Sequence, residues 1–250
     1  MYALVTGASS GIGREMAKIL AKKGYALILA ARNKKALEEL AASLDTKVLI
    51  VPIDLSKKKN CIKLYHMLKD KPIDVVINNA GFGVFGELYK TNLQNELNML
   101  NVNIYAVHIL TKLFLRKMLK ENRGYILNVS SLAGYMPGPY MSSYYASKAY
   151  VLNLTAAAEA EVKKKKRNVS VSAFCPGPVD TDFNNRAGVK FSIKPINSSF
   201  AARKAIEGMF DRKTIIFPRP IDKVYAVVSR VAPMGIVADV CCHIQKRKMQ

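Results

Sequence analysis

The chain has no tryptophan, three histidines and four cysteines among its 250 residues. So few thiols in a chain this long (Cys61, Cys175, Cys241 and Cys242) do not make a disulfide framework. They form no Cys-x-x-Cys pair, and His66, His108 and His243 complete no ligand spacing with them, so no metal is expected. Reduced thiols in a cytoplasmic protein are the expectation. The adjacent pair Cys241 and Cys242 is a weaker candidate for redox sensitivity. Also missing is a charge-free apolar run of membrane-spanning length. The nearest, Val224 to Cys242, is interrupted by Arg230, Pro233 and Asp239. It reads as a helical hairpin or kinked surface element rather than as a segment lying on a membrane. A strand-like run begins at Tyr2, so no basic leader or cleavage site is expected before the fold.

Acidic residues are scarce, 18 against 39 basic ones, for a net charge of +21. Such a field attracts anions, among them dinucleotide phosphates, acidic carrier proteins and lipid head groups. The cations are scattered over many elements. Lys163 to Arg167 close a predicted helix, where cations complement the dipole. Lys57–Lys59 open another helix, and Lys246-Arg247-Lys248 lie in the tail. No nucleic-acid-binding motif accompanies them, so a solvated basic surface and no nucleic-acid partner are expected.

Half of the residues are apolar, enough for one sizeable α/β domain spanning residues 1–250. Strand-like runs near Tyr2–Thr6, Ala26–Ala31, Lys47–Pro52, Val75–Asn78, Gly124–Val129 and Ser170–Cys175 alternate with helical patterns. Those patterns lie near Gly11–Lys23, Lys34–Leu44, Lys57–Leu68, Leu93–Lys120 and Ser142–Lys166. Several strands are apolar without alternation, as in parallel strands covered on both faces. The order predicts a doubly wound parallel sheet, the Rossmann fold. After Cys175 the alternation stops. Residues 176–211 read as a substrate loop or lid, with a helix near Phe200–Phe210, and 218–250 as a helical extension. Val179 to Ser199 is expected to order over ligands, with Gly188 and Pro195 as punctuation.

The first strand runs directly into Thr6-Gly7-Ala8-Ser9-Ser10-Gly11-Ile12-Gly13, and a helical pattern follows. Strand, glycine turn and helix are the context that a dinucleotide loop requires. Gly7 allows the tight turn, Gly11 a close approach of backbone to pyrophosphate, and Gly13 close helix packing. Ser9, Ser10 and Ile12 complete the loop. The helix N-terminus then favours the phosphates.

The spacing T-G-x-x-x-G-x-G resembles that of the short-chain dehydrogenase/reductase family, and further motifs follow in order. Asn78-Asn79-Ala80-Gly81 ends the fourth strand and Asn103 lies on the next long helix. Ser130-Ser131 closes the fifth strand, and Tyr144 with Lys148 forms Y-x-x-x-K, the tyrosine thirteen residues beyond Ser131. Pro176-Gly177-Pro178-Val179-Asp180-Thr181 corresponds to P-G-x-V-x-T. The resemblance weakens after Thr181.

The second strand ends at Arg32 with no acidic residue nearby. In dinucleotide folds an acid there binds the ribose hydroxyls of NAD, whereas an arginine accommodates the 2′-phosphate of NADP. NADP(H) is therefore the expected cofactor, with Lys34, Lys35 and Arg14 adding positive field. By resemblance, Asp54 and Leu55 border the adenine, although Asp54 could equally cap the helix that follows. The resemblance also implies that Asn79, Ala80 and Gly81 flank the cofactor and that Pro176, Gly177, Val179 and Thr181 hold its nicotinamide end.

Tyr144 and Lys148 share a helix face. A tyrosine titrates near pH ~10, and a neighbouring ammonium should lower that value and make it a usable acid or base. The resemblance implies that Lys148 binds the nicotinamide ribose, that Ser131 donates to the substrate oxygen, and that Asn103 holds a water linking Lys148 to solvent. Phe82, Phe85, Tyr135, Met136, Tyr140 and Met141 are expected to face the substrate, with Phe183 and Phe191 closing over it. That lining suits a hydrophobic ketone and its secondary alcohol. A hydroxysteroid dehydrogenase differs only in the pocket. A non-catalytic NADP-binding sensor, or a basic protein binding anions or membranes, would not need the whole Asn103, Ser131, Tyr144 and Lys148 set. Similar proteins pair the long helices across subunits, so a homodimer or homotetramer is expected.

Overall fold

The computed structural model describes residues 1–181 and 195–246. Seven parallel strands form one sheet: β1 (Tyr2–Thr6), β2 (Ala26–Ala31), β3 (Val48–Pro52), β4 (Ile73–Asn78), β5 (Gly124–Val129), β6 (Val169–Phe174) and, at the far edge, β9 (Ile215–Ile216). Their order is β3-β2-β1-β4-β5-β6-β9. The chain winds outward from β1 in one direction, then returns to start again at β4. Adjacent crossovers therefore leave on opposite faces at β1 and β4, and that gap is where such folds bind ligands.

The helices follow from the alternation. On one face, α1 (Gly11–Lys22), α2 (Lys34–Ala42) and α7 (Ser198–Phe210) pack on the sheet. Met16, Leu20, Leu37, Leu40, Ala201, Ala205 and Met209 join Val5, Leu29 and Ile77 in one apolar layer. On the other, α3 (Lys58–Leu68), α5 (Val107–Glu121) and α6 (Ser142–Lys164) cover Leu4, Ile28, Val76 and Ile126 with Leu64, Leu110, Phe114 and Val162. The strands inside the sheet, β1, β2, β4, β5 and β6, are buried on both faces, which is why several read as continuous apolar runs.

Three expectations change. The long helix expected over Leu93–Lys120 is interrupted: α4 (Leu93–Leu100) gives way to a π-helical stretch, Asn101–Ala106, before α5. Such widened turns often occur at functional sites, and this one carries Asn103. Second, the loop ahead of the expected helix holds a short pair of strands. The strand pair β7 (Val179–Asp180) and β8 (Ile196–Asn197) precedes α7, whose alanine face is part of the core against α1. Phe183, Gly188 and Phe191, with most of the proposed lid, lie outside the described residues. Third, Asp54 does not cap α3. Lys57 stands at that position, and Asp54 instead accepts from the Ser56 N–H at 3.0 Å.

The extension forms two helices, α8 (Pro220–Val231) and α9 (Met234–Lys246), bent at Pro233. Arg219 and the buried Asp222 tie the start of α8, the guanidinium donating to the carboxylate at 2.7 and 3.1 Å.

Candidate active site

The glycine turn closes against the end of β4. Asn79 donates its side-chain amide to the carbonyls of Thr6 at 3.0 Å and Gly7 at 3.1 Å. The N–H groups of Asn79 and Ala80 both donate to the Thr6 hydroxyl. The Asn79 amide is thus a brace of the loop. Gly13 is fixed by the same contact: a Cβ there would lie 2.3 Å from Asn79 Nδ2 and 2.5 Å from the Gly7 carbonyl. Gly11 has φ +55, and a Cβ would press on Thr181 at 3.0 Å. No side chain caps α1, and its first turn holds no acid. Its N–H groups therefore remain suited to an anion.

Together these elements open into a cleft of about 750 Å³. Its dinucleotide half is lined by Gly7, Ser9, Ser10, Gly11, Ile12, Arg32, Asp54, Leu55, Asn79, Ala80 and Gly81. Arg32 is exposed at the rim, at the end of β2. Burial would raise the Asp54 carboxyl, but the Ser56 N–H and hydroxyl, with the Arg32 and Lys57 charges, hold it below the usual carboxylate range. Arg14 does not line this cleft. It faces a separate depression with Lys18, Lys22 and Arg203.

The other half is lined by Ser131, Tyr144, Lys148, Pro176, Gly177, Val179 and Thr181. Ser131 ends β5 and starts a 3₁₀ turn, Leu132–Tyr135, accepting from the Ala133 N–H at 3.1 Å and donating to the Pro176 carbonyl at 3.3 Å. It also hydrogen-bonds Tyr144. One turn further along α6, Lys148 is buried and donates to the Val129 carbonyl at 2.9 Å, its ammonium 5.7 Å from the Tyr144 ring centre. The π-helical stretch delivers Asn103 beside them. Its amide grips the Phe82 backbone in both directions, at 3.2 and 3.0 Å, and donates to Ser147 at 3.1 Å. Gly81 leaves room there, since a Cβ would meet Asn103 Oδ1 at 3.0 Å and Lys148 Nζ at 3.5 Å. The Asn103 side chain is thus occupied in bracing Phe82 and holding Ser147.

Electrostatics depart from expectation. Burial pushes the Tyr144 hydroxyl up to about 12, against the lowering effect of Ser131. Burial pushes the Lys148 ammonium down to about 8, against the Cys175 thiol. The ammonium does not bring the phenol down, because both charges are penalised by the same dry surroundings. Tyr144 is therefore a protonated acid at neutral pH.

The apolar wall also differs from expectation. Phe82, Met136 and Met141 line the cleft as expected. Tyr135 turns away, packing on Phe217 and Cys175 beneath the Arg230 guanidinium. Phe85 stacks on Tyr140 and packs in one cluster with Met141, Tyr144 and Tyr145. Sequence reasoning missed the contributions of Val102, Leu132, Tyr145 and, from α9, Cys241, Ile244 and Gln245. Gln245 donates to the Tyr145 hydroxyl at 2.7 Å, and its Oε1 is buried without a hydrogen-bond partner among the described residues. No motif marks α9. Its amphipathic pattern was the available signal, and that pattern does not say which element it meets. No disulfide joins the four cysteines, and no group of metal-ligating side chains occurs among the described residues.

Residues 1–190 match the family described as short chain dehydrogenase. The chain belongs to that family. An uncharacterized oxidoreductase of Staphylococcus epidermidis is 34% identical over 181 residues, covering 72% of this chain and 78% of the relative. Among solved structures, a short-chain dehydrogenase from Sphingobium yanoikuyae in complex with NADPH is 26% identical with a TM-score of 0.83, covering 95% of this chain and 98% of that one. A short-chain dehydrogenase/reductase from Burkholderia phymatum in complex with NAD is 25% identical with a TM-score of 0.81, covering 90% and 91%. This short-chain dehydrogenase is thus an oxidoreductase with a nicotinamide dinucleotide site, and its relatives include structures with either dinucleotide.

Proposed function

We propose that the protein uses NADP(H) to interconvert an apolar ketone and its secondary alcohol, with Tyr144 as the acid that protonates the carbonyl oxygen. The observation that carries this reading is the meeting of Ser131, Tyr144 and Lys148 at the junction of a glycine cradle and an apolar wall. A dinucleotide bound in that cradle supplies or accepts a hydride. The chain's own residues manage the oxygen. Ser131 and Tyr144 point hydroxyls at one place, where negative charge develops on a carbonyl oxygen. Tyr144, held neutral by burial, gives up its proton there. Lys148 is within reach to stabilise the phenolate that results, and its value near 8 lets it pass a proton onward at physiological pH. Asn103, itself held by Ser147, braces the Phe82 backbone and so fixes that part of the cleft wall. The remaining lining, with Val102, Met136, Met141 and Ile244, removes water from a substrate that is itself apolar.

NADP selectivity rests on Arg32, a guanidinium fork at the rim of β2 with no carboxylate in the position that would take ribose hydroxyls. Arg32→Ala should weaken NADPH binding about tenfold to a hundredfold and leave NADH within about twofold, given about 1.5–3 kcal/mol for a charge-assisted hydrogen bond. Fluorescence titration with both cofactors checks this. Equal losses for both would remove Arg32 from cofactor selection.

Pairing into a homodimer is supported by the exposed Leu97, Tyr105 and Tyr150, which lie along α4, the π-helical stretch and α6. The functional reading itself is tested by NADPH consumption against a panel of apolar ketones, including steroids and acyl compounds. Turnover of bulky apolar ketones is expected. Turnover confined to small hydrophilic carbonyls would overturn it.

A further inference from the structure

Helix α8 carries its apolar stripe on the wrong side for a core element. Ile221, Val224, Val228 and Val231 recur at steps of three and four residues, and all four are exposed, Val231 at 81%. Asp222 and Ala226 are the positions it buries. Surface helices ordinarily turn the apolar face inward and the polar face to water. After the bend, Met234, at 76% exposure, and then Ile236 and Val240 on α9 extend the same surface. An apolar patch on this scale is uncommon on a protein that stands alone in water.

The borders of the patch indicate what covers it. Lys223 lies beside the α8 stripe and Lys246 ends α9, both exposed, while Asp222 is buried in its pair with Arg219 and Arg230 turns its guanidinium onto the Tyr135 ring. Asp239 is the exposed acid of these two helices. A second copy approaches with the same net charge of +21, whereas an anionic surface approaches with the opposite sign. An anionic lipid surface presents apolar depth to the valines and negative charge to the two lysines together. No helix among the described residues is long and apolar enough to cross a membrane, so the hairpin would lie in the interface. One turn after Val240, Ile244 lines the substrate cleft together with Cys241 and Gln245.

We propose that the α8–α9 hairpin docks the protein on anionic membrane surfaces, which places one wall of its substrate cleft against the lipid. A lipid-dissolved carbonyl compound would then be the substrate drawn on. That last clause rests on the apolar-ketone reading, whereas docking itself does not, and vesicle binding is measured without substrate so that the two fail separately.

The test is co-sedimentation of the full-length protein with phosphatidylcholine vesicles, with and without phosphatidylserine. Val228→Glu combined with Val231→Glu is compared with the unaltered chain. Both positions are exposed and lie outside the cleft, so fold and NADPH binding should persist. The unaltered protein should bind the anionic vesicles, and the double variant should bind about tenfold or more weakly. Binding should fall at high salt and be weak on pure phosphatidylcholine. Should the double variant fold poorly, Val231→Glu alone, at the most exposed of these side chains, is the substitute. Three results overturn the proposal: no binding to anionic vesicles, binding unchanged by the glutamates, or a vesicle-free dimer that the glutamates dissociate. The last would assign the patch to a second copy.

Discussion

Tyr144→Phe should fold, bind NADPH with near-normal affinity, and reduce its ketone about 10²–10⁴-fold more slowly, the usual cost of losing a positioned acid. The substitution removes one hydroxyl and little volume, and the ring keeps its packing on Met141 and Tyr145. The lost interaction is used as the oxygen takes up charge, so the fall belongs in kcat more than in KM. The pH profile carries a second signature. Tyr144 stays protonated up to about 12, so its own ionisation does not limit reduction near neutrality. Lys148 loses its proton as pH rises through about 8, and with it the charge that stabilises the departing phenolate. Reduction should therefore be steady below that value and decline above it. Alcohol oxidation needs the phenolate and should rise with pH. Stopped-flow turnover of the folded variant at saturating NADPH settles the first point. Unchanged kcat would require a different acid.

Gly13→Ala should be damaging for a different reason. The added carbon would sit 2.3 Å from Asn79 Nδ2 and 2.5 Å from the Gly7 carbonyl, inside the brace that shapes the cradle. To make room, Asn79 must release the Thr6 and Gly7 carbonyls or α1 must lift from β1. Overpacking of this kind costs about 1–3 kcal/mol, and the cradle is where the strain is relieved, so NADPH affinity should fall roughly tenfold to a hundredfold. Gly24→Ala is the control. It meets nothing within 4 Å, and its φ of +83 makes it strained but remote from the cleft. Its dinucleotide affinity should be unchanged while its melting temperature drops. Equal dinucleotide affinity in both variants would remove Gly13 from the cradle.

The dinucleotide half of the site was legible because it is built from local signals. Each strand end leads directly into the residues it positions, and glycine, N-N-A-G and Y-x-x-x-K spacings report backbone requirements that survive without tertiary knowledge. Arg32 was found the same way, at the end of β2, whereas Asp54 came from the family resemblance alone. What stayed hidden depends on which distant element packs where. The helical period over Leu93–Lys120 is continuous, so nothing in it reveals the π-helical stretch at Asn101–Ala106. Tyr135 and Met136 are neighbours in a turn and face opposite ways, a matter of φ and ψ rather than of residue type. Gln245 enters the cleft from a helix about a hundred residues beyond Tyr145. The effect of Lys148 on Tyr144 was misjudged because spacing gives proximity but not burial, and here burial outweighs it.

Hydride transfer to an apolar ketone is the centre of this account. It is tested most directly with NADPH deuterated at its transferable position, incubated with a bulky ketone drawn from the panel. One deuterium should appear on the carbinol carbon of the product alcohol, with the hydroxyl proton coming from water by way of Tyr144. An alcohol without label at that carbon, or NADPH left unconsumed by every apolar ketone, would contradict it.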